Sequence, residues 1–329
     1  MMKCAILVKP GELKIQNVDR PEPGPNEVLI QVDLAGICGS DDSVYKGKMV
    51  IPLPRIPGHE AVGRIVSMGK EVKDRKIGQR VTIQPNFPCE ACPICQSGMG
   101  NICLQKVRLG LDIDGVFAQY VKVPYPYTWP VPDLLDDETA VFTEPIAVAY
   151  HALLKARPKP GQRVLVFGAG VIGLIMVQLI RREGNDVFTF DLVRDRLWIS
   201  EGLGATAGLT STDELLSRGP FDLIYETSGA SSAFDEAIKA ASPGATIVIL
   251  GLPGSPHPLL TTPIVRKELK IFGSMIYTTE FPEVLDLLVK GQIKTQPLVS
   301  GILDLEGLST ALERFADPKR VKTLIRIGI

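Results

Sequence analysis

The sequence predicts a two-domain α/β protein in which an irregular β-rich part precedes a doubly wound parallel sheet. The chain has 329 residues, and because a domain typically holds on the order of 150 residues, about two domains are expected. The pattern also changes at the breaker RPKPG, residues 157–161. Short β-rich runs separated by Pro and Gly precede it, and strands alternate with helices after it, which favours a parallel sheet covered by helices.

In the first part, strands are predicted at residues 27–34, 61–67 and 80–84, and the Pro and Gly clusters between them favour a small barrel or sandwich. A helical pattern opens at residues 136–138 and runs toward Ala156, and we expect it to carry the chain into the second domain. The tail from about Phe281 is expected to form a helix, a turn, a second helix near 305–315 and a strand at 322–327. We expect this tail to return to the first domain.

The second part is predicted to alternate between strands and helices. Strands are expected at residues 163–167, 186–191, 221–226, 246–251 and 270–274, and helices at 171–183, 192–203, 231–241 and 264–267. The predicted domains are therefore residues 1–148, completed by 282–329, and residues 149–281.

The composition of the chain disfavours nucleic acid and membrane surfaces as binding partners. A formal net charge of -1, with 45% hydrophobic and 22% charged residues, gives no electrostatic attraction to nucleic acid or to a membrane surface. The apolar run at residues 4–8 is too short for a signal peptide and ends at Lys9 and Pro10. We therefore expect a cytoplasmic protein with a small-molecule partner.

A glycine-rich turn follows the first strand of the second part. The strand at 163–167 runs into the segment GAGVIG, residues 168–173, and then into an apolar helix, which is the context that a Rossmann dinucleotide fingerprint requires. Gly168 permits the tight turn, Gly170 lets the backbone approach a pyrophosphate, and Gly173 allows close packing of helix on strand. The helix N-terminus at Val171 and Ile172 offers unpaired N–H groups to the phosphates.

An acidic residue distinguishes this turn from the glycine-rich turn of an unrelated α/β protein. Asp191 ends the next predicted strand, where a carboxylate accepts hydrogen bonds from the adenosine ribose. Arg194 and Arg196 follow it and could pair with the extra phosphate of NADP, but the acid favours NAD. The predicted cofactor is therefore NAD, and the further candidate contacts are Arg196, Thr227, Gly251 and Ser274.

Four cysteines crowd into a short lobe. Cys89, Cys92, Cys95 and Cys103 follow the spacing C-x2-C-x2-C-x7-C. Four thiolates at such spacing suit a closed tetrahedral zinc site that stabilises a polar loop. An iron–sulfur cluster usually spaces its last cysteine differently, and a reducing cytosol disfavours two disulfides. The sequence therefore predicts a structural zinc site.

A second ligand set comes from two separate segments. Cys38 lies in the segment CGSD, and His59 and Glu60 lie in GHEAVG. One thiolate, one imidazole and a carboxylate leave a zinc coordination position open for substrate. The sequence therefore predicts a catalytic zinc site as well.

These segments resemble the zinc-containing medium-chain alcohol dehydrogenase family over essentially the whole chain. The pattern from Gly58 to Val72, GHE-x2-G-x5-G-x2-V, is similar to the zinc signature of that family, and the cysteine lobe has its spacing. The segments CGSD and TEP, residues 143–145, are most similar to the polyol, sugar-acid and threonine dehydrogenase branch. The resemblance implies a GroES-like catalytic domain and a Rossmann cofactor domain.

The resemblance also implies roles for single residues. Cys38 and His59 would bind the catalytic zinc directly. Relatives of this branch use either the Glu after the zinc histidine or the Glu of the Glu-Pro pair, so Glu60 and Glu144 are both candidates for the third ligand.

Further roles concern the proton of the substrate. By the same resemblance, Asp41 would orient the His59 ring, and Ser40 would take the substrate hydroxyl proton. Relatives often have a histidine where this chain has Ser43. The proton path beyond Ser40 therefore passes through Asp42 or through ordered water.

The expected function is reversible oxidation by NAD of a secondary alcohol on a polyol, sugar acid or related polar substrate, with zinc as Lewis acid. Oxidation of L-threonine or of a simple alcohol shares every motif above and stays an alternative. A zinc-free nucleotide-binding structural protein is disfavoured, because Cys38 and His59 are both present. A homodimer or homotetramer is expected from the family.

Overall fold

The computed structural model describes residues 1–254, 256–259 and 261–328. Ser255 and Leu260 of the predicted second domain, and Ile329 of the predicted first domain, lie outside the described residues. The strands are β1 (Met2–Lys9), β2 (Glu12–Val18), β3 (Glu27–Gly36), β4 (Glu60–Met68), β5 (Arg80–Ile83), β6 (Asn86–Phe87), β7 (Val107–Arg108), β8 (Tyr120–Pro124), β9 (Thr128–Pro130), β10 (Arg163–Phe167), β11 (Asp186–Phe190), β12 (Ala207–Leu209), β13 (Phe221–Glu226), β14 (Ala241–Ile249), β15 (Lys270–Gly273), β16 (Val299–Asp304) and β17 (Lys322–Arg326).

The α-helices are α1 (Gly39–Tyr45), α2 (Pro93–Gln96), α3 (Asp137–Ala140), α4 (Thr143–Lys155), α5 (Val171–Arg182), α6 (Arg194–Gly202), α7 (Thr212–Arg218), α8 (Ser231–Ala240), α9 (Thr261–Arg266), α10 (Phe281–Val289) and α11 (Leu308–Glu313). Short 3-10 turns occur at Gly100–Ile102, Tyr125–Tyr127, Gln296–Leu298 and Leu305–Gly307. None of the helices in the described ranges has the length and apolar character needed to cross a membrane.

The chain divides into two compact units. Unit 1 contains Met1–Glu144, Phe281–Lys290 and the described residues from Val299 onward, and unit 2 contains Pro145–Glu280 and Gly291–Leu298. Most of the tail from residue 281 thus belongs to unit 1, and a short stretch of it belongs to unit 2.

Unit 1 is β-rich. Among the described residues, its main sheet has the strand order β16-β17-β3-β4-β5-β9, with β8 also paired to β3, and the pairs β1-β2 and β6-β7 form two small separate sheets. The central strand β3 alternates in its middle part: Ile30, Val32 and Leu34 are buried, whereas Gln31 and Asp33 between them are partly exposed. The alternation places these apolar side chains on the core face, because successive side chains of a strand point to opposite faces.

Unit 2 is a doubly wound parallel sheet. In the described part of the chain its strand order is β12-β11-β10-β13-β14-β15, and each neighbouring pair is parallel. The order reverses direction between β10 and β13, which is where open α/β sheets bind ligands. The predicted fold class, a β-rich domain followed by a parallel sheet, is confirmed.

Two details of the prediction were wrong. The single helix expected from residue 136 to 156 is interrupted, because it ends as α3 at Ala140 and restarts as α4 at Thr143. Pro145 explains the restart, since a proline inside a helix lacks the N–H and clashes with the carbonyl four residues earlier, but is accommodated in a first turn.

The second detail is a set of elements that the sequence reasoning missed in the second part and the tail: strands β12 and β16 and helix α7. A strand of three residues gives almost no periodic signal. The helix did carry a signal: Ser211 caps it by accepting the Glu214 N–H at 3.2 Å, and a serine followed three residues later by a glutamate is the capping-box pattern.

Candidate active site and zinc centres

The register of two antiparallel strands brings the predicted catalytic ligands together. Strand β3 ends at Gly36, strand β4 begins at Glu60, and these two residues are paired across the sheet. The segment leaving β3 therefore carries Cys38 to the place where His59 enters β4. The ligand atoms of Cys38, His59 and Glu60 all lie within 4.8 Å of one another, which is close enough for one metal ion to be shared after small adjustments.

Asp41 ties the two ligand-bearing segments to each other. Its carboxylate is buried and accepts the N–H of Cys38 at 2.8 Å and the N–H of Gly58 at 3.1 Å. Its Oδ1 lies 3.9 Å from His59 Nδ1, which is beyond hydrogen-bond distance. Asp41 thus holds the backbones on either side of the site and acts on the His59 ring by its charge.

Gly58 is required at its position for two reasons. Its φ is +91°, in the left-handed region that L side chains rarely adopt, and a Cβ there would lie 2.7 Å from the ring of Phe117. Close packing on Phe117 therefore fixes the approach of His59 to the site.

Negative charge is concentrated around His59. Burial opposes protonation of the ring, but interactions with the neighbouring Cys38, Asp41 and Glu144 together raise the pKa of His59 well above its usual range. Burial raises the pKa of Asp41, although the charge of His59 acts to lower it. A buried group of thiolate and carboxylates is costly without a cation, so this donor set fits a bound Zn²⁺.

The two candidate acids differ in position. The carboxylate of Glu60 lies within 4.8 Å of the ligand atoms of Cys38 and His59. Glu144 lies in the first turn of α4 and is 5% exposed, and its charge contributes to the raised pKa of His59. The arrangement thus favours Glu60 as the protein's third ligand.

Lys322 is a partner of this site that the sequence reasoning missed. Its ammonium forms an ion pair with Glu60 Oε2, and both side chains are almost completely buried. Gly36 faces this pair, where a Cβ would lie 2.3 Å from Glu60 Oε2 and 2.9 Å from Lys322 Cε. No local signal marks Lys322 as functional, because it is one of two charged residues in a strand of five that has no motif around it.

The residues proposed for proton transfer lie on α1. Ser40 is partly exposed in the first turn of this helix. The Ser43 hydroxyl donates to the Gly39 carbonyl at 3.0 Å, and Asp42 forms an ion pair of 2.7 Å with Lys46. Asp42 and Ser43 thus already have partners on their own helix, which favours ordered water for the path beyond Ser40.

The four cysteines of the lobe already have the geometry of a zinc site. Their Sγ atoms are separated by 3.9 Å (Cys89 and Cys95), 3.5 Å (Cys92 and Cys95), 3.9 Å (Cys92 and Cys103) and 3.6 Å (Cys103 and Cys89). A tetrahedron with Zn–S bonds of about 2.3 Å has edges of roughly 3.8 Å. Backbone N–H groups of Cys95 and Gln105 also point at the sulfurs of Cys92 and Cys103. These residues fit a structural zinc ion.

The glycine turn of unit 2 is shaped by close contacts. Gly168 has φ +92°, and a Cβ on Gly173 would lie 1.8 Å from the Gly168 carbonyl oxygen. At Gly170, by contrast, a Cβ would meet no heavy atom within 4 Å among the described residues. The turn therefore needs glycine at the first position for its backbone conformation and at the third for close packing, and the middle glycine faces open space where a pyrophosphate can approach.

Asp191 and Thr227 support this turn from both sides. Asp191 accepts the Ala169 N–H at 2.7 Å and the Val193 N–H at 2.8 Å. The Thr227 hydroxyl donates to the Phe167 carbonyl at 2.7 Å and also lies 3.2 Å from that of Gly168. Thr227, predicted as a cofactor contact, therefore holds the turn through its side chain.

The other predicted cofactor residues follow strands of the same sheet. Gly251 comes after β14, Ser274 after β15, and Arg196 lies in α6, which follows β11. The Ser274 Oγ atom is buried and has no hydrogen-bond partner among the described residues. These positions belong to the carboxyl-end edge, where doubly wound sheets bind ligands.

Comparison with known proteins decides the family. Residues 24–133 match the alcohol dehydrogenase GroES-like domain family, and residues 171–290 match the zinc-binding dehydrogenase family. The sorbitol dehydrogenase of Bacillus subtilis is 31% identical over 328 residues, which cover 95% of this chain and 93% of that protein. The chain belongs to the zinc-containing alcohol dehydrogenase family. The resemblance predicted from the sequence is thereby confirmed.

Two solved structures share the whole fold of this dehydrogenase. One is the alcohol dehydrogenase rspB of Escherichia coli CFT073, complexed with NADH, with a TM-score of 0.93, 33% identity and 99% coverage of both chains. The other is a zinc-binding dehydrogenase of Sinorhizobium meliloti 1021 bound to NADP, with a TM-score of 0.95, 32% identity and 99% coverage of both chains. The dehydrogenase is an oxidoreductase acting on CH–OH groups.

Proposed function

We propose that this dehydrogenase catalyses the reversible oxidation of a secondary alcohol on a polyol, sugar acid or related polar substrate, with NAD as the cofactor. The observation that carries the proposal is the convergence of Cys38, His59 and Glu60 within 4.8 Å in a chain that also has a complete dinucleotide turn. The similarity to a sorbitol dehydrogenase supports the polyol class of substrate.

Each residue of the site has a separate task. Cys38 and His59, with Glu60 or Glu144 as third ligand, would hold a zinc ion, which would supply a Lewis acid for the hydroxyl oxygen, and bound NAD would supply the hydride acceptor. Ser40 receives the proton of the hydroxyl group. Asp41 keeps the two ligand-bearing segments together through its bonds to the backbone.

The second zinc has a structural task. Cys89, Cys92, Cys95 and Cys103 use all four positions of a tetrahedral ion, so none remains for substrate. In the second domain, Gly168, Gly170 and Gly173, with the helix N-terminus at Val171 and Ile172, would receive the pyrophosphate. Asp191 would bind the adenosine ribose, and Arg196, Gly251 and Ser274 would complete the pocket.

We also propose the domain assignment, the compartment and the assembly. Residues 1–148 with 282–329 form the catalytic domain and residues 149–281 the NAD-binding domain, an assignment supported by the division of the chain into units near residue 144. The protein is cytoplasmic, which the thiolate-rich ligand sets support.

A homo-oligomer is supported by an exposed sheet edge. Strand β15 lies at one end of the described sheet of unit 2, and Phe272 on it is 43% exposed. An apolar edge strand readily pairs with a second chain. Light scattering should therefore give the mass of a homodimer or a homotetramer rather than that of a single chain.

The function is tested with purified protein and a panel of polyols, sugar acids and amino alcohols, while NADH absorbance is followed. Polyols are expected to give the highest kcat/KM. Activity on L-threonine alone, or on no member of the panel, would refute the substrate assignment.

Metal analysis should find two zinc ions per chain, one for each ligand group. Mild chelation is expected to stop turnover before the protein unfolds, because the catalytic group keeps an accessible position and the four-cysteine group does not. Simultaneous loss of activity and fold would contradict the division of roles.

A further inference from the structure

Glu226 joins two loops at the edge of the sheet in unit 2. It is the last residue of β13 and is 2% exposed. Its Oε1 accepts the N–H of Ser228 at 2.8 Å, the Ser228 hydroxyl at 2.5 Å and the N–H of Gly229 at 3.0 Å. Its backbone carbonyl accepts the N–H groups of Leu250 at 2.8 Å and Gly251 at 3.1 Å. One residue therefore holds both the loop after β13 and the loop after β14.

The two loops touch with no space to spare. A Cβ on Gly251 would lie 2.1 Å from the Gly229 nitrogen and 2.5 Å from Glu226 Oε2. Gly229 itself has φ +66°, and a Cβ there would lie 2.8 Å from the Leu252 carbonyl oxygen. Real Cβ atoms do not approach other atoms so closely, so any side chain at Gly251 must push the loops apart.

This junction continues into the glycine turn. Thr227, the residue after Glu226, is bonded through its hydroxyl to the carbonyl of Phe167, which precedes that turn. Strands β10, β13 and β14 are neighbours in the sheet. The loops after all three strands are thus bonded to one another at the edge where a dinucleotide binds.

The strand order divides the edge into two halves. A Rossmann sheet consists of two mononucleotide-binding halves that meet at the reversal of strand order, and here the reversal lies between β10 and β13. Asp191 follows β11, in the half assigned to the adenosine. Glu226 ends β13, in the other half, which would receive the nicotinamide nucleotide.

We propose that Glu226 is a positioning residue for the nicotinamide half of the cofactor, an inference that rests on the proposed NAD-linked function. Its carboxylate fixes the loop after β13, against which Gly251 of the loop after β14 packs, in the conformation that receives the nicotinamide nucleotide. Without this acceptor, the N–H groups of Ser228 and Gly229 would lose their hydrogen-bond partner, and the loop after β13 would move away from its packing against Gly251. The adenosine half, held by Asp191 and the glycine turn, would keep its shape.

The test compares the binding of NADH with that of ADP-ribose, which lacks the nicotinamide, to the zinc-loaded enzyme. In Glu226→Ala, the Kd for NADH is expected to rise by about tenfold or more, and the Kd for ADP-ribose by less than about threefold. KM for NAD should rise in parallel, with KM for the alcohol unchanged. Glu226→Gln, which keeps one acceptor oxygen, should lose less affinity for NADH than Glu226→Ala.

Gly251→Ala and Ser228→Ala provide independent probes if Glu226→Ala does not fold. The first forces the same loops apart from the other side, and the second removes one hydrogen bond of the junction. Both should weaken NADH more than ADP-ribose. The matched control is Glu214→Gln, a carboxylate of the same unit that accepts the Thr210 N–H at 2.7 Å near α7, and it should leave NADH binding unchanged.

The outcomes separate the inference from the function on which it rests. If the wild-type enzyme binds no NADH, the NAD-linked function fails. If the wild type binds NADH but the variants at Glu226, Gly251 and Ser228 bind it normally, the inference is overturned. Equal losses of NADH and ADP-ribose would also overturn it, because they would show a general collapse of the sheet edge.

Discussion

Substitution of Asp191 by asparagine should shift this dehydrogenase from NAD toward NADP. A 2′-phosphate bound next to the Asp191 carboxylate would place like charges a few ångströms apart. For unit charges separated by about 4 Å, the repulsion is about 1 kcal/mol in water and about 4 kcal/mol at the effective dielectric of a partly buried site. The wild-type preference for NAD is therefore expected to be roughly tenfold to a thousandfold, and Asp191→Asn should remove most of it.

The hydrogen bonds of Asp191 decide how the change in cofactor preference must be measured. One Asp191 oxygen accepts the N–H of Ala169 at 2.7 Å and the other accepts that of Val193 at 2.8 Å. Because asparagine has a single acceptor oxygen, the variant loses one of these bonds, at a cost of about 1–3 kcal/mol. The variant should therefore bind NAD more weakly for structural reasons alone. Only the ratio of kcat/KM for NAD to that for NADP, in wild type and variant, isolates the charge effect.

Two results would refute the reasoning about Asp191. Equal use of both cofactors by the wild-type enzyme would mean that basic residues such as Arg194 or Arg196 outweigh the carboxylate. An unchanged ratio in Asp191→Asn would mean that the carboxylate does not face the ribose. Both cofactors occur in this fold, because structural relatives have been solved with NADH and with NADP.

Three further predictions concern the zinc sites and the proton path. Cys95→Ser should lose one zinc ion per chain and lower the thermal midpoint, because the lobe depends on four sulfurs for its geometry; a variant that kept both ions and its midpoint would argue against a structural zinc. Glu60→Gln should lose catalytic zinc more readily than Glu144→Gln in a chelator competition, since Glu60 lies within 4.8 Å of the other two ligand atoms; the reverse order would make Glu144 the third ligand. Ser40→Ala should lower kcat by about a hundredfold or more while the enzyme keeps its zinc, and a fully active variant would exclude Ser40 from the proton path.

Local chain geometry explains what could be predicted from the sequence. The four cysteines are close together in the chain, so their spacing alone limits how far apart the sulfurs can be. The glycine turn is also local, because its tight bend and the close packing of Gly173 on Gly168 involve neighbouring residues. The alternation of strands and helices in unit 2 likewise follows from short-range periodicity.

Other features depended on the tertiary structure. The sequence supplied Cys38 and His59 as separate segments, and only the register that pairs Gly36 with Glu60 brings them together. The break between α3 and α4 and the short strand β12 were missed, because a proline near a helix start and a run of three residues are weak signals against a strong neighbouring pattern.

Lys322 and Glu226 show most clearly which contacts could not be predicted from the sequence. The sequence by itself determined the family, the cofactor turn and the four-cysteine ligand set, because each depends on residue types at short spacings. It did not reveal that Lys322 reaches Glu60 from the last strand, or that Glu226 joins two loops. Lys322 and Glu60 are far apart in the chain, and so are Glu226 and the loop after β14 that its carbonyl holds. Only folding brings such residues together, and a charged side chain that folding removes from water must find its partners within the protein.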